Sequence, residues 1–499
     1  MTDRYVDLAT RDGVLRGVEF DGIASFLGVR YGDDTGGPNR FAAPQPVRPW
    51  EGVRDVLEYG PSAPQVDIRL TASGRLPEAL SLLYPRTGGP LEGGAASEDC
   101  LRLNVWAPSR AAPGTLPVIV WLHGGGFTHG SGNESVFTGR SLAARGNVVV
   151  SVTHRLGLLG FLDLRGLGLP ASANAGMLDI VAALDWVAAH IAEVGGDSSR
   201  VTVVGQSGGS AKVAALNAMP AARGLFQRSV MMSFPCREVG TPAGSAALAA
   251  QVLADLEVTD PSRLRSLPLE TLLAAQATVL GAASGRFGSG RPGVLGGFGP
   301  SLDPADLPDH PFSPTPAPGW RGTDLLIGWN SHDASLLLAE SPQYSSELTA
   351  EDVVRLIDED EPGQGSTRYH RIRAEHPGEP DHLIWARAIT DRMFADPSRQ
   401  LAQDAAHSCR SVWVYEFARE TDVLDRLLGA SHSLELAYVF GTTASTPFTG
   451  TGSGRTLLSQ EMMHAWSAFA ADGAPRVPGR EWLPVSQGTV APHRFGSDS

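Results

Sequence analysis

Residues 201–209 read VTVVGQSGG, a run of β-branched residues followed by a glycine-rich turn around Ser207. The apolar run predicts a buried strand, and the residues after the turn predict a helix that Pro220 ends. The turn has the pattern Gly-x-Ser-x-Gly, which suits a serine held on a sharp strand-to-helix corner with its hydroxyl above the sheet edge. An ordinary glycine-rich turn is the alternative, but the position between a strand and a helix favours a nucleophile.

A second glycine-rich turn lies upstream, where residues 121–127 read WLHGGGF after another apolar run. Acyl transfer to a serine forms a tetrahedral oxyanion, which needs backbone N–H donors that already point at it. Consecutive glycines let amides approach a ligand closely because no Cβ stands in the way. We therefore predict an oxyanion hole formed by the amides of Gly125, Gly126 and Gly208, the last being the residue after the serine. A flexible glycine-rich loop is the alternative.

The segments around these turns alternate between strand and helix patterns. This alternation predicts an α/β fold with a central, mostly parallel sheet and helices on both faces. Residues 1–499 are predicted to form one domain, with a Gly/Pro-rich, lid-like insertion near 281–322, because no repeat or linker divides the chain. Apolar runs predict strands at 118–122, 148–152, 201–204, 325–328 and 411–417, and amphipathic periodicity predicts helices at 177–193, 210–219 and 457–471.

Composition excludes several classes of function. The chain has 499 residues, 42% of them hydrophobic, and a formal net charge of −14. So acidic a protein lacks the cationic footprint of a nucleic-acid or anionic-membrane partner. No stretch approaches the length of a transmembrane helix, and the N-terminus lacks the apolar run of a signal peptide. Because the three cysteines are far apart, we expect no disulfide framework, no metal site and a cytoplasmic location.

Longer motifs throughout most of the chain resemble the type-B carboxylesterase family, which includes acetylcholinesterase and bacterial para-nitrobenzyl-type esterases. The resemblance implies an α/β-hydrolase fold, a small-molecule carboxylic ester as substrate and no cofactor. The motifs are most similar to those of the bacterial members of the family. The motifs that carry it include SEDCLRLNVWAP at 97–108, RLGLLGF at 155–161, NAGMLD at 174–179, GGDSSRVTVVGQSGG at 195–209 and AMPAARGLFQRS at 218–229.

The resemblance also assigns the other two members of a catalytic triad, whose order along this fold is serine, acid, histidine. Residues 326–337, LIGWNSHDASLL, place Asp333 at the acid position, where the family usually has glutamate. Residues 429–441, GASHSLELAYVFG, place His432 at the base position. The alternatives are a helix cap for Asp333, Glu340 as a fallback acid, and a surface histidine at 432.

Several residues depart from the family pattern near the predicted site. Gln206 precedes the serine where the family usually has glutamate, so we expect weak activity on choline esters. Phe234 stands where a glycine is expected and would narrow the acyl side of the pocket. With Phe127, which closes the HGGGF motif, these are the candidate pocket residues. Ala63 replaces a cysteine of the family's N-terminal disulfide, so Cys100 is expected to be a free, buried thiol.

The resemblance implies a two-step reaction in which His432 activates Ser207, an acyl-enzyme forms, and water clears it. Two alternatives stay open. An acyltransferase or cyclase would use the same triad with a different second nucleophile. A non-catalytic binding protein would resemble the neuroligin-type adhesion relatives, which lack a working triad and act outside the cell; the intact triad and absent secretion signal disfavour that alternative. Neither the natural ester nor the oligomeric state follows from the sequence.

Overall fold

A mixed β-sheet forms the centre of the fold. The computed structural model describes residues 4–85, 96–283, 297–486 and 490–496. Within them the sheet has twelve strands. They are β1 (Arg4–Thr10), β2 (Gly13–Phe20), β3 (Ile23–Arg30), β4 (Val53–Asp55), β5 (Arg102–Pro108), β6 (Leu116–Leu122), β7 (Val148–Thr153), β8 (Gly196–Gln206), β9 (Arg228–Met232), β10 (Asp324–Asn330), β11 (Ser411–Phe417) and β12 (His493–Phe495).

Helices connect most of these strands and pack on the sheet. In the described residues they are α1 (Ile68–Thr71), α2 (Leu76–Leu83), α3 (Arg140–Ala143), α4 (Gly157–Phe161), α5 (Ala175–His190), α6 (Gly208–Ala218), α7 (Pro242–Asp255), α8 (Pro261–Ser266), α9 (Leu269–Ala283), α10 (Ala334–Leu338), α11 (Ala350–Asp360), α12 (Gly365–Glu375), α13 (Asp381–Thr390), α14 (Asp396–Ala405), α15 (Leu436–Val439) and α16 (Arg455–Asp472).

The strand order places the predicted motifs at one edge of the sheet. The order is β1-β2-β3-β5-β7-β6-β8-β9-β10-β11-β12, with β4 paired to β2. The seven strands from β7 to β12 along this order run parallel, whereas the pairs from β1 to β7 are antiparallel. Because β6, β8 and β10 are parallel, their carboxyl ends lie at the same edge, which is where open α/β sheets bind ligands.

The central strands are buried on both faces. Every residue of β7 and β10 is buried, as are all residues of β6 after Leu116. Strands covered on both faces read as continuous apolar runs because neither set of alternating side chains meets water. The predicted α/β class with a mostly parallel sheet is thus confirmed, and each predicted strand and helix is present with bounds that differ by a few residues.

The predicted insertion near 281–322 is only partly within the described residues. Its first residues belong to α9, and residues 284–296 lie outside the described ranges. Residues 297–322 lack regular strands and α-helices, as expected for this composition. Their aromatic side chains Phe298, Phe312 and Trp320 are fully buried. This portion is therefore anchored to the core.

The helix α5 with its flanking turns, Ser172–Val194, is long and apolar enough to span a membrane. It is the one such helix in the described part of the chain, so the expectation that no stretch approaches this length is wrong. Two thirds of its most apolar window, 67%, is buried within the protein. Its low amphipathicity follows from this burial, because a helix covered on most sides needs apolar residues all round.

A buried ion pair joins the turn after β7 to α5. The Arg155 guanidinium donates to both carboxylate oxygens of Asp179, at 2.8 and 2.6 Å, and the side chains are 2% and 0% exposed. Removing one partner of such a pair leaves an uncompensated buried charge. We expect Asp179→Ala to lower the free energy of unfolding by about 3–5 kcal/mol, measured by urea denaturation.

An exposed pair on α11, Arg355 with Glu359, provides the control for this experiment. Because solvent screens such a pair, Glu359→Ala should cost less than about 1 kcal/mol. Equal losses in the two variants would show that burial of the Asp179 pair contributes nothing to stability.

Candidate active site

Ser207 occupies a strained corner between β8 and α6. Its backbone angles are φ 57° and ψ −124°, a conformation that residues with a side chain rarely adopt. The corner is held by a hydrogen bond from the Ser207 N–H to the Met232 carbonyl at 2.9 Å, at the end of the neighbouring strand β9. The predicted strand–serine–helix arrangement is therefore present, and Ser207 lies at the carboxyl edge of the parallel strands.

The glycines of the Gly-x-Ser-x-Gly pattern are required by close backbone contacts. A Cβ on Gly205 would overlap the carbonyl group of Gly209. A Cβ on Gly209 would overlap the Leu122 carbonyl oxygen at the end of β6. The corner can therefore form only where these positions carry no side chain, which explains the spacing in the sequence.

The glycine turn after β6 lies directly against this corner. The point where a Gly208 Cβ would stand is 2.6 Å from the Gly126 nitrogen, and the corresponding point on Gly124 is 3.3 Å from the Ser207 Cβ. In the described residues, no hydrogen bond uses the N–H groups of Gly125 and Gly126. Gly208 is the first residue of α6, so its N–H lacks an intrahelical acceptor. The predicted oxyanion donors Gly126 and Gly208 thus lie against each other next to the serine, and Gly125 belongs to the same turn.

Asp333 and His432 form a buried hydrogen-bonded pair. His432 Nδ1 lies 2.8 Å from Asp333 Oδ1, and the side chains are 7% and 0% exposed. The second carboxylate oxygen of Asp333 accepts from the Asn330 N–H at 2.7 Å. Asp333 makes no side-chain capping bond to α10, so the helix-cap alternative is wrong. No hydrogen bond or ion pair in the described part of the chain links Glu340 to His432.

The other ring nitrogen of His432 faces the serine corner through Gln206. His432 Nε2 lies 3.1 Å from Gln206 Nε2, which fits an amide N–H donated to an imidazole whose proton is on Nδ1. No hydrogen bond within the described residues joins this nitrogen to Ser207 Oγ. Catalytic hydrogen bonds are often long before substrate binds and tighten only in the complex. The imidazole therefore contacts the side chain of Gln206, the residue that precedes the serine.

The acid turn and the histidine loop are bound to each other by Asn330 and His332. The Asn330 side-chain amide donates to the Ser431 carbonyl at 2.6 Å. The His332 N–H donates to the Ala430 carbonyl at 2.9 Å, and His332 Nδ1 accepts from the Ala430 N–H at 3.0 Å. These bonds fix the separation of Asp333 and His432, although the two residues are 99 positions apart.

A second carboxyl group, Glu435, lies fully buried near this pair. Burial and the negative charge of Asp333 raise the pKa of Glu435 to about 8, although a hydrogen bond from the Asn330 amide opposes the shift. Glu435 is therefore protonated at neutral pH. Asp333 is then the carboxylate that supplies negative charge to His432.

Sequence reasoning missed two contacts of the site. The ring of Phe394 packs against the His432 imidazole with centroids 5.7 Å apart. It lies in a wide helical turn, Asp391–Ala395, that no motif indicated. The side chain of Lys212, on α6, reaches the carbonyl oxygen of His123 at 2.8 Å. Its signal in the sequence is that it is the only lysine of the chain.

The other residues singled out from the sequence, Phe127, Phe234 and Cys100, differ in their burial and contacts. Phe127 is 2% exposed, and its ring packs edge-on against Phe161 at 5.3 Å. Phe234 is partly buried, and its carbonyl accepts the Ser210 hydroxyl at 2.6 Å. Cys100 is buried and free, as expected from Ala63. Among the described residues, no three His, Cys, Asp or Glu side chains are grouped so that they could hold a metal ion.

Comparison with known proteins shows a similarity to esterases along nearly the whole chain. The model of the carboxylesterase family matches residues 3–493. The chain is 32% identical over 491 residues to a para-nitrobenzyl esterase of Bacillus subtilis, covering 97% of this chain and 92% of that protein. It is 32% identical to a phenmedipham hydrolase of Pseudarthrobacter oxydans, covering 95% and 91%. A solved para-nitrobenzyl esterase superposes with a TM-score of 0.78 at 31% identity, covering 96% and 93% of the two chains.

Proposed function

Because the chain belongs to the carboxylesterase family and is a carboxylic-ester hydrolase of the α/β-hydrolase fold, we propose that it cleaves small-molecule esters through Ser207, His432 and Asp333. The observation that carries this assignment is the buried hydrogen bond between His432 Nδ1 and Asp333 Oδ1. The same imidazole contacts Gln206, the residue before the strained Ser207 corner. A histidine whose Nδ1–H is held by a carboxylate presents a basic Nε2, which is what a serine hydroxyl requires.

The proposed reaction has two steps. His432 Nε2 accepts the Ser207 hydroxyl proton as Oγ attacks the ester carbonyl, and the amides of Gly125, Gly126 and Gly208 bind the resulting oxyanion. The intermediate collapses when the alcohol leaves with the proton from His432. Water, deprotonated by His432, then releases the acid and restores the serine.

The test of the proposed site is covalent labelling together with a substrate series. The enzyme is assayed with p-nitrophenyl esters of increasing acyl length and then treated with an organophosphonate. Mass spectrometry of the digested adduct should place the label on Ser207, with loss of activity in proportion to labelling. A label on another serine would overturn the assignment, and esterified product with a competing alcohol would indicate acyl transfer.

The neutral side chain of Gln206 predicts weak activity on esters of cationic alcohols. A carboxylate at this position would attract a quaternary ammonium group, whereas the neutral amide does not. We expect kcat/KM for a choline ester to be at least about tenfold below that for the matched neutral 3,3-dimethylbutyl ester. Gln206→Glu should reduce this difference in kcat/KM, since about 1.4 kcal/mol of added attraction is tenfold. Comparable efficiencies for the two esters in the unaltered enzyme would contradict this prediction.

We also propose a cytoplasmic enzyme built as one domain. The three free cysteines support a reducing compartment, because none of them forms a disulfide. The continuous sheet from β1 to β12 supports a single folding unit. Fractionation of the source cells with an antibody against the enzyme tests the location, and recovery outside the cytoplasmic fraction would contradict it.

A further inference from the structure

Lys212 is a buried cation immediately behind the glycine turn of the predicted oxyanion hole. It lies one turn into α6, four residues after Gly208, and its side chain is 0% exposed. Its ammonium group donates to the His123 carbonyl at 2.8 Å and lies 5.5 Å from the centre of the Phe127 ring. No ion pair in the described part of the chain includes Lys212.

The groups that face Lys212 do not neutralise its charge. Three of them are histidines whose pKa values are lowered, first by burial and next by the positive charge of Lys212. They are His123 at the end of β6, His129 in the following loop and His154 at the end of β7. The pKa of His129 falls to about 4, so this ring is neutral at physiological pH, and the rings of His123 and His154 stack at 5.0 Å.

The remaining charged groups nearby are already paired. Arg155, which follows His154, is bound by Asp179. Asp67, which acts weakly on His129, is bound by Arg69. Within the described residues the ammonium group of Lys212 therefore has no ion-pair partner, and its acceptor is the carbonyl of the residue that precedes the glycines of the predicted oxyanion hole.

An isolated buried ammonium group is costly, and packing does not require it. Burial lowers the pKa of Lys212 to about 7, which expresses this cost. A leucine or methionine at this position would avoid that cost. The carbonyl oxygen that accepts from Lys212 belongs to His123, the residue that precedes the glycine run. The charge is thus directed at the loop that binds the carbonyl of the substrate.

We propose that Lys212 is a positioning residue for the oxyanion hole, which fixes the His123–Gly124 peptide and places a positive charge behind the donor amides. The inference rests on the proposed function, because it needs a tetrahedral intermediate at Ser207. A preorganised charge in a water-poor site stabilises an oxyanion more than the neutral ester, so it lowers the barrier without tightening substrate binding.

The charge of Lys212 is present below its pKa and is lost as the pH rises through that value. We therefore expect kcat to fall through an alkaline limb near pH 7, where Lys212 becomes neutral. A serine esterase without such a lysine would keep its activity on the alkaline side.

Two variants test the role of the charge. Lys212→Met should lower the maximal kcat for p-nitrophenyl acetate about tenfold, a smaller loss than that of a direct donor, with KM changed by less than about twofold. It should also remove the alkaline limb without lowering Tm, because it removes a buried charge. Lys212→Arg keeps a charge that does not titrate, so its kcat should stay high on the alkaline side. A Lys212→Met enzyme with unchanged kcat and an unchanged limb would overturn the proposal.

A second measurement needs no substitution of Lys212. Because the chain has one lysine, enzyme labelled with ¹³Cε-lysine gives a single side-chain resonance, whose shift reports its protonation. Phosphonylation of Ser207 places a negatively polarised oxygen at the oxyanion hole and should raise the pKa of Lys212. Ser207→Ala enzyme treated in the same way is the matched control. The same pKa in free and phosphonylated enzyme would overturn the proposal, whereas a label absent from Ser207 would instead refute the proposed function.

Discussion

Replacing Ser207 with alanine is expected to lower kcat for p-nitrophenyl acetate about a millionfold, the loss found when a serine nucleophile is removed from a triad enzyme. The reason is that no other hydroxyl occupies the strained corner between β8 and α6. Alanine can adopt the same backbone conformation as serine there, so the thermal unfolding curve should change little. The measurement is kcat on protein purified without contact with active enzyme, together with organophosphonate labelling, which should disappear.

The matched control is another buried serine, Ser229 in β9. Its hydroxyl accepts from the Asn217 amide at 3.1 Å and is fully buried, so it contributes to packing and not to the site. Ser229→Ala should keep kcat within about threefold, since a lost neutral hydrogen bond costs only about 1 kcal/mol of stability. Labelling that persists in Ser207→Ala, or a loss of activity equal in both variants, would contradict the assignment of the nucleophile.

The elements that the sequence predicted are those whose signals are local. The apolar run before Ser207 and the flanking glycines encode β8 and the corner, because each glycine is required by a backbone contact within or next to the motif. The strands at the sheet centre could also be predicted from local sequence, since burial on both faces requires unbroken apolar runs. Asp333 and His432 followed from resemblance, and the structure brings these two residues into contact.

The contacts that the sequence did not predict join residues far apart along the chain. Gln206 meets His432 across 226 positions, and nothing in either local motif indicates that the amide would face the imidazole. Phe394 reaches the same ring from an unrelated helical turn. The unpaired charge of Lys212 could not be predicted either, because it depends on which of the described side chains pack around its ammonium group. Local patterns thus specify elements, whereas the electrostatics of the site require tertiary packing.

Asp333→Asn is expected to lower kcat about ten-thousandfold at neutral pH, the effect of the same change in other serine triads. Here the geometry gives a specific reason. One carboxylate oxygen of Asp333 accepts the Asn330 N–H at 2.7 Å, so the oxygen of an asparagine amide would take that position. Its NH₂ group would then face His432 Nδ1, which must become an acceptor. The imidazole proton would move to Nε2, and His432 could no longer take the proton of Ser207.

This reasoning distinguishes Asp333 from the fallback acid, Glu340. Because Glu340 makes no hydrogen bond or ion pair with His432 in the described structure, Glu340→Gln should keep kcat within about twofold. Asp333→Glu retains a carboxylate and should therefore keep more activity than Asp333→Asn. In the unaltered enzyme Glu435 does not share this role at neutral pH, since burial and the charge of Asp333 raise its pKa to about 8. An Asp333→Asn enzyme with kcat within about tenfold of the unaltered enzyme would mean that the tautomer of His432 is fixed by another group.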